Sequence, residues 1–369
     1  SLPPDYASEQ PAIAGLEAQS AFYGVTSNEI SVNGVGHFNA YPLPWDPAKP
    51  YASTGAQFWA DRTIPELLAD LRELEGDRVI QVNHPRSDAF KGYFAYLSRD
   101  PATGESGLEQ GTDFDAIEVN GNLGSWDEFT VEGWAGWADQ PDSSVPVLAD
   151  WFGMLNRGEP ICAVGNSDTH EVGDDAGYPR TYLRVIDDDP SALSDEEIVA
   201  AIDRQHALVS RGLSLEIAVN GGFQMGHTQV VAEDGDVPTA LHVVVRAPEW
   251  LKTSASVQLY RNGLHVETRE AAAPQSGTLV FEDTFTLAAD KDSWFVVVVR
   301  GSANGKPVFD GNPYAYTNPV YVDFDGLKAV NDSHGHAFGD QLLVAAVHRI
   351  SECCDGRAEL GRVGGDEFL

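Results

Sequence analysis

Five side chains of metal-ligand type fall where short apolar runs end. Glu29 lies in Gly24-Val-Thr-Ser-Asn-Glu-Ile-Ser31, and His37 lies in Gly36-His-Phe-Asn-Ala-Tyr-Pro-Leu43. His84 follows the run Val79-Ile-Gln-Val-Asn83 and precedes Pro85. Asp168 and His170 share Ala163-Val-Gly-Asn-Ser-Asp-Thr-His170. Mixtures of histidine and carboxylate suit zinc, manganese or iron, and a carboxylate can bridge two such ions. Taken singly, each has a plain alternative. A histidine after a strand is commonly a hydrogen-bonded structural residue, and Glu29 reads equally well as a solvated strand residue. As a set they share one property: every member ends a predicted strand.

The elements that must position them follow from periodicity. Thr63-Ile-Pro-Glu66 is a capping box with Pro in the first turn, and it leads into Leu67, Leu68, Leu71 and Leu74, with a stop at Gly76. A strand over 78–83 comes next. Leu148, Trp151, Phe152 and Leu155 repeat at helical spacing to Gly158, followed by a strand over 161–164. Ser194-Asp-Glu-Glu197 is a second capping box, before Ile198 and Ile202. Helix then short buried strand, repeated, predicts an α/β fold with a largely parallel sheet. In such sheets chemistry gathers at the carboxyl ends of the strands.

From about Leu213 the pattern changes. Strands are predicted over 241–246, 257–260, 264–268, 279–287 and 294–300 with no helix between them, and Asn262-Gly263 is a type I′ hairpin signal. This block reads as a small antiparallel β-sandwich. Beyond Tyr321 a polar loop precedes an apolar-periodic helix over 340–353.

Composition narrows the function classes. A chain of 369 residues suggests roughly two to three domains. With 42% hydrophobic residues it can bury a core. Acidic residues outnumber basic ones 57 to 23, a formal charge of −34, which disfavours nucleic acid and anionic lipid as partners. No apolar run reaches the ~20 residues of a membrane helix. Cys162 reads as core, while Cys353 and Cys354 are adjacent and form no zinc-type spacing.

With Ala116-Ile-Glu-Val-Asn-Gly-Asn122 and Tyr178-Pro-Arg-Thr-Tyr182 added, the motifs around Glu29, His37, His84, Asp168 and His170 resemble the PHP metallohydrolases (polymerase and histidinol phosphatase), closest to their CehA/McbA-like branch. The resemblance implies a partial (β/α)7 barrel with zinc, manganese or iron at Glu29, His37, His84, Asp168 and His170. It also implies hydrolysis of a small-molecule ester or phosphoester, and Arg180 is the catalytic-site residue expected to meet an anionic substrate group. The opening His-x-His strand of that family has no counterpart before His37, so the N-terminal part of the barrel is expected to be missing and activity impaired.

A second resemblance lies in the tail. Asp323-Phe-Asp-Gly-Leu-Lys328, Asn331, Asp340 and Gly364-Gly-Asp-Glu-Phe368 look like a GGDEF diguanylate cyclase domain. It implies Asp323 and Asp366 as ligands of magnesium with GTP, Asn331 and Asp340 on guanine, and Gly364 and Gly365 beside phosphate. The expected organisation is a PHP-like domain over 1–212, a β-sandwich over 213–321 and an incomplete GGDEF segment over 322–369, joined without a linker as in a chimera or fragment. The barrel-plus-sandwich suits a secreted or periplasmic setting, and the tail implies the cytoplasm. Hydrolysis is the leading expectation. The alternatives are a cyclase-type signalling protein and a non-catalytic secreted binding module.

Overall fold

The computed structural model describes residues 23–32, 35–43, 62–86, 92–100, 103–108, 111–119, 147–170, 172–186, 189–222, 224–232, 239–287, 292–303, 305–325, 362–364 and 367–368. The first sheet has the order β1 (Asn28–Val32), β2 (Gly36–Tyr41), β3 (Val79–Asn83), β4 (Ala116–Glu118), β5 (Cys162–Val164). Helix α1 (Ile64–Glu73) begins as its capping box directs: the Glu66 carboxylate accepts from the backbone N–H and hydroxyl of Thr63, at 2.9 and 2.8 Å. Ile64, Leu67, Leu68 and Leu71 form its buried face. Past its end, Arg78 donates to the carbonyls of Leu74, Glu75 and Gly76 and so fixes the turn that leads from the helix into β3.

The predicted largely parallel sheet is corrected. Only β3–β4 and β4–β5 are parallel, whereas β1–β2 and β2–β3 are antiparallel. The reason is chain length: a parallel neighbour needs a crossover of a dozen or more residues, and only residues 33–35 separate β1 from β2. Among the described residues no closed barrel forms, so the partial (β/α)7 barrel gives way to a mixed, strand-rich α/β arrangement.

Short α2 (Tyr93–Tyr96) and long α3 (Val147–Asn156) cover this sheet, and α3 is buried from Val147 to Leu155. Inside it, Asp150 receives two hydrogen bonds of 2.6 Å from Arg86, both side chains being essentially inaccessible. On the far side of α3 lies an eight-stranded sheet. Its main path runs β12 (Leu264–Ala271), β11 (Ala255–Arg261), β14 (Ser293–Gly301), β15 (Tyr314–Thr317), β7 (Ala207–Arg211), β6 (Arg180–Leu183). Between β6 and β7 runs α4 (Asp195–Asp203), whose N-cap Ser194 accepts from the Glu197 N–H as predicted. A three-stranded sheet of β8 (Ser214–Val219), β10 (Thr239–Arg246) and β13 (Leu279–Leu287) packs on the other face.

Strand β14 is buried on both sides. Val296 and Val298 join the core around α3, while Phe295, Val297 and Val299 join the sandwich core. That explains its unbroken apolar run. Asn262 and Gly263 turn β11 into β12 with φ of 50° and 79°, as the type I′ signal requires.

Strand β16 (Val320–Asp325) pairs antiparallel with β14 and parallel with β9 (Thr228–Ala232). Val320 and Val322 are buried in the sandwich core. Position 322 thus falls inside a sandwich strand, and β6 and β7, which precede 213, belong to the same sheet. In the tail, β17 (Arg362–Gly364) and β18 (Glu367–Phe368) form an antiparallel pair. The predicted helix over 340–353, Cys353 and Cys354 lie outside the described residues, and Cys162 is buried as expected. No helix among the described residues is long and apolar enough to cross a membrane.

Candidate metal centre

Three antiparallel strands bring Glu29, His37 and His84 together. Glu29 is opposite Asn39 on β2, and His37 is opposite Asn83 on β3. Alternation along each strand then puts Glu29, His37, Asn39 and Asn83 on one face, and His84, one residue past β3 with φ of 28°, turns back toward it. His37 Nδ1 and His84 Nε2 are 3.1 Å apart, and Glu29 Oε1 is 3.4 Å from the first and 3.8 Å from the second. One ligand atom from each of the three lies within 4.8 Å of the others. Hydrogen bonds from His37 and then His84 hold the Glu29 carboxyl far below the usual carboxylate range, against the opposing effect of burial. Burial disfavours protonation of His84, but its bond to Glu29 and the charge of Glu118 outweigh that and raise it.

A polar relay runs away from the cluster. Asn83 Nδ2 donates to Glu29 Oε1 at 2.9 Å, Gln81 Nε2 to Asn83 Oδ1 at 2.7 Å, and the Tyr41 hydroxyl to Gln81 Oε1 at 3.1 Å. Each acceptor fixes the next amide's orientation, so the chain ends on an ionised Glu29. Glu118, 3% exposed, accepts the backbone N–H of His84 at 2.9 Å.

Across an open cavity of about 570 Å3 from Glu29 stands the loop with Asp168 and His170. Both line it, as do Asn39, Asn83, Glu118 and Arg180. Their donors are not part of the three-residue cluster, and His170 Nδ1 faces its own loop, 2.7 Å from the Asp168 carbonyl. That carbonyl raises the His170 pKa, aided by the Asp168 charge. The loop is tied to the sandwich: Asp175 Oδ2 accepts from Arg211 Nη2 at 3.0 Å and from the Asp310 N–H at 2.7 Å. His84 and Asp168 adopt φ of 28° and 47°, a region side-chain-bearing residues rarely occupy.

Arg180 opens β6 with its guanidinium 4.1 Å over the Tyr178 ring and 5.6 Å from that of Tyr182. It forms no ion pair among the described residues, and its buried Nε has no hydrogen-bond partner. In a chain with 57 acidic residues that is an available cation at the cavity wall. Sequence reasoning quoted Glu118 within a motif but gave it no role, and it missed Asn83, Gln81 and Asn39. The available signal was a polar residue inside an otherwise apolar buried strand.

Of the tail residues, Asp323 lies on β16 opposite Val230 of β9, and Gly364 ends β17. Asn331, Asp340, Gly365 and Asp366 lie outside the described residues.

Comparison with known proteins bears on the tail. Residues 316–369 match the diguanylate cyclase GGDEF domain. An uncharacterized 19.3 kDa protein of the repSA 5′ region of Streptomyces ambofaciens is 52% identical over 50 residues, 14% of this chain and 27% of its own. The bifunctional diguanylate cyclase/cyclic di-GMP phosphodiesterase MucR of Pseudomonas aeruginosa is 44% identical over 50 residues, 14% of this chain and 7% of its own. Diguanylate cyclase VdcA of Vibrio cholerae is 35% identical over 66 residues, 16% of this chain and 20% of its own. The chain thus spans about a quarter or less of the length of these relatives. An engineered protein of solved structure aligns at a TM-score of 0.19 and 16% identity, over 36% of this chain and 25% of its own, too slight to bear on the fold. Of the two resemblances drawn from sequence, these matches support the GGDEF one, the alternative, rather than the hydrolase.

Proposed function

We propose that the chain takes part in cyclic-di-GMP signalling through its C-terminal segment, as a nucleotide-handling unit of the diguanylate cyclase type. The observation that carries this reading is the GGDEF match over 316–369, which includes Asp323, Asn331, Asp340 and the signature Gly364–Phe368. In it, Asp323 and Asp366 would hold magnesium with GTP, Asn331 and Asp340 would hydrogen-bond guanine, and Gly364 and Gly365 would let backbone approach phosphate. Such chemistry joins two GTP molecules, so two segments must face each other, and its GTP supply implies the cytoplasm. The test is incubation of the full chain with GTP and magnesium, with chromatographic detection of cyclic di-GMP. Product that disappears on Asp366→Ala supports the reading; the absence of both product and GTP binding overturns it.

The Glu29–His37–His84 cluster favours a second reading, a metal-dependent hydrolase. Two imidazoles and an ionised carboxylate within 4.8 Å form a donor set that fits zinc, manganese or iron, with Asp168 and His170 across the cavity. When bound, such an ion acts as a Lewis acid toward an ester or phosphoester oxygen. The protein's own groups do the rest. Asn83 fixes one Glu29 oxygen, Glu118 fixes the His84 backbone, and Arg180 offers its guanidinium to an anionic group. Elemental analysis after dialysis against zinc or manganese tests it. Metal retained by the wild-type chain and lost on His37→Ala with His84→Ala supports it, whereas retention in that double variant overturns it.

A further inference from the structure

Below the Glu29–His37–His84 layer lies a second cavity, of about 250 Å3 and, like the first, open to solvent. Strand alternation generates it. Glu29, Asn83 and Thr181 line the larger cavity, and the residues two positions away, Ser27, Gln81 and Leu183, line the smaller one. Two residues of extended chain span about 7 Å, so the second cavity sits one side-chain layer beneath the first. The two share Asn39, Asn166 and Thr181, which form a common polar threshold. Asn39 Oδ1 there is buried and has no hydrogen-bond partner.

Past that threshold the walls are mostly apolar, with Val25, Val164, Leu183, Ile198 and Ile202 beside the hydroxyl of Ser27. The polar groups Tyr41 and Gln81 are joined to each other at 3.1 Å and so offer little to a ligand. An apolar cavity of about 150 Å3 already holds a benzene molecule. The lower chamber therefore has room for one ring with a short substituent, or a branched chain of similar size.

We infer that the substrate of the hydrolase reading is amphiphilic, with its polar, anionic end at the Glu29–His37–His84 layer and Arg180 and an apolar substituent in the lower chamber. The inference rests on that reading and deepens it. It explains why a strongly polar upper cavity opens onto a floor of isoleucine, leucine and valine. The chamber thus selects by apolar bulk, and the upper layer selects by charge.

Calorimetric titration of the full chain, loaded with zinc or manganese, with n-alkylphosphonates from methyl to hexyl tests this. Affinity should rise about fourfold per methylene until the chamber is full, then level off. Leu183→Trp, or Ile198→Phe should the first variant not fold, should flatten the rise. Affinity independent of chain length, or a rise unchanged in both variants, would overturn the inference. The neutral probe benzyl alcohol, titrated with chelator present, separates the two readings. If no phosphonate binds but benzyl alcohol binds the wild type and not Leu183→Trp, the chamber stands and the metal reading fails. If benzyl alcohol binding is absent or unchanged by Leu183→Trp as well, the chamber fails.

Discussion

Glu118 meets His84 through the backbone as well as through charge: its carboxylate accepts the His84 N–H at 2.9 Å, and its charge helps to raise the His84 pKa. His84 there adopts φ of 28°, a conformation that costs energy without outside support. Glu118 supplies that support from the neighbouring parallel strand, and it does so while 3% exposed. The imidazole of His84 is thereby aimed at Glu29 and His37 by a bond to its own backbone.

Glu118→Ala should therefore lower unfolding stability by about 2 kcal/mol, the cost of leaving a buried donor unmade. Glu118→Gln, which keeps an acceptor oxygen, should recover most of that. Urea unfolding of the two variants is the comparison to make. Equal losses would mean that charge, not the acceptor, is what matters at this position.

Asn318 joins two sheets with one side chain. Its Oδ1 accepts the Ala163 N–H at 2.8 Å, and its Nδ2 donates to the carbonyls of Ala163 and Ala207 at 2.9 and 2.8 Å. Asn318→Ala strands all these groups in a fully buried place and should cost about 3 kcal/mol or more. Asn318→Asp, which keeps an acceptor but loses both donors, should also be destabilised. A melting temperature unchanged in either variant would show that water replaces the amide at no cost.

Acid should weaken the fold at His206. Its ring contacts that of His227 at 5.1 Å, and its pKa is lowered from 6.5 first by burial and then by the charges of His227, Arg184 and Arg204. A depressed folded-state pKa contributes stability that is complete above the unfolded value of 6.5 and is lost as pH falls through the lower folded value. Between about pH 7.5 and about pH 5.5 the wild type should thus lose more stability than His206→Gln. Parallel slopes for the two proteins would remove His206 from the account.

Chain endings should differ sharply around β16. Ending the chain after Asp325 keeps every pairing of that strand, whereas ending it after Tyr321 removes Val322, which is 2% exposed, and the partners of β9 beyond Thr228. The shorter version should lose at least about 2 kcal/mol, roughly the value of one buried valine. Equal denaturation midpoints would show that β16 contributes little beyond position 321.

The sequence was most legible where the signal is local. The capping box at Thr63, the N-cap at Ser194, the helix through Trp151 and the Asn262-Gly263 turn depend only on neighbours a few residues away, and each occurs in the structure. The reciprocal half of the box expected at Ser194 is replaced by a bond from the Ile186 N–H to Glu197. Residue type made Glu29, His37 and His84 legible as candidates, but the expectation that each ends a strand holds only for His84, since Glu29 and His37 sit at the second positions of β1 and β2. Sheet direction was not, because helix-strand alternation does not reveal that β2 turns back on β1 after residues 33–35. The relay through Asn83 and Gln81 was invisible because it depends on register between strands far apart in sequence. Asp168 and His170 matched a ligand spacing, yet their loop places them across the cavity from the cluster, under tethers from Arg211 and Asp310.

The stretch from Tyr316 to Asp325 lies within the GGDEF match and within the sandwich at once. Tyr316 to Asn318 are fully buried, Val320 and Val322 fill an apolar core, and Asp323 alternates away from them. Ten residues therefore answer to two masters. A substitution tolerated by a free-standing nucleotide-binding segment can still be purged here because it spoils a hydrophobic layer, and the reverse holds for the acidic position. Inherited variation across this decapeptide should consequently be narrower than in either neighbouring stretch.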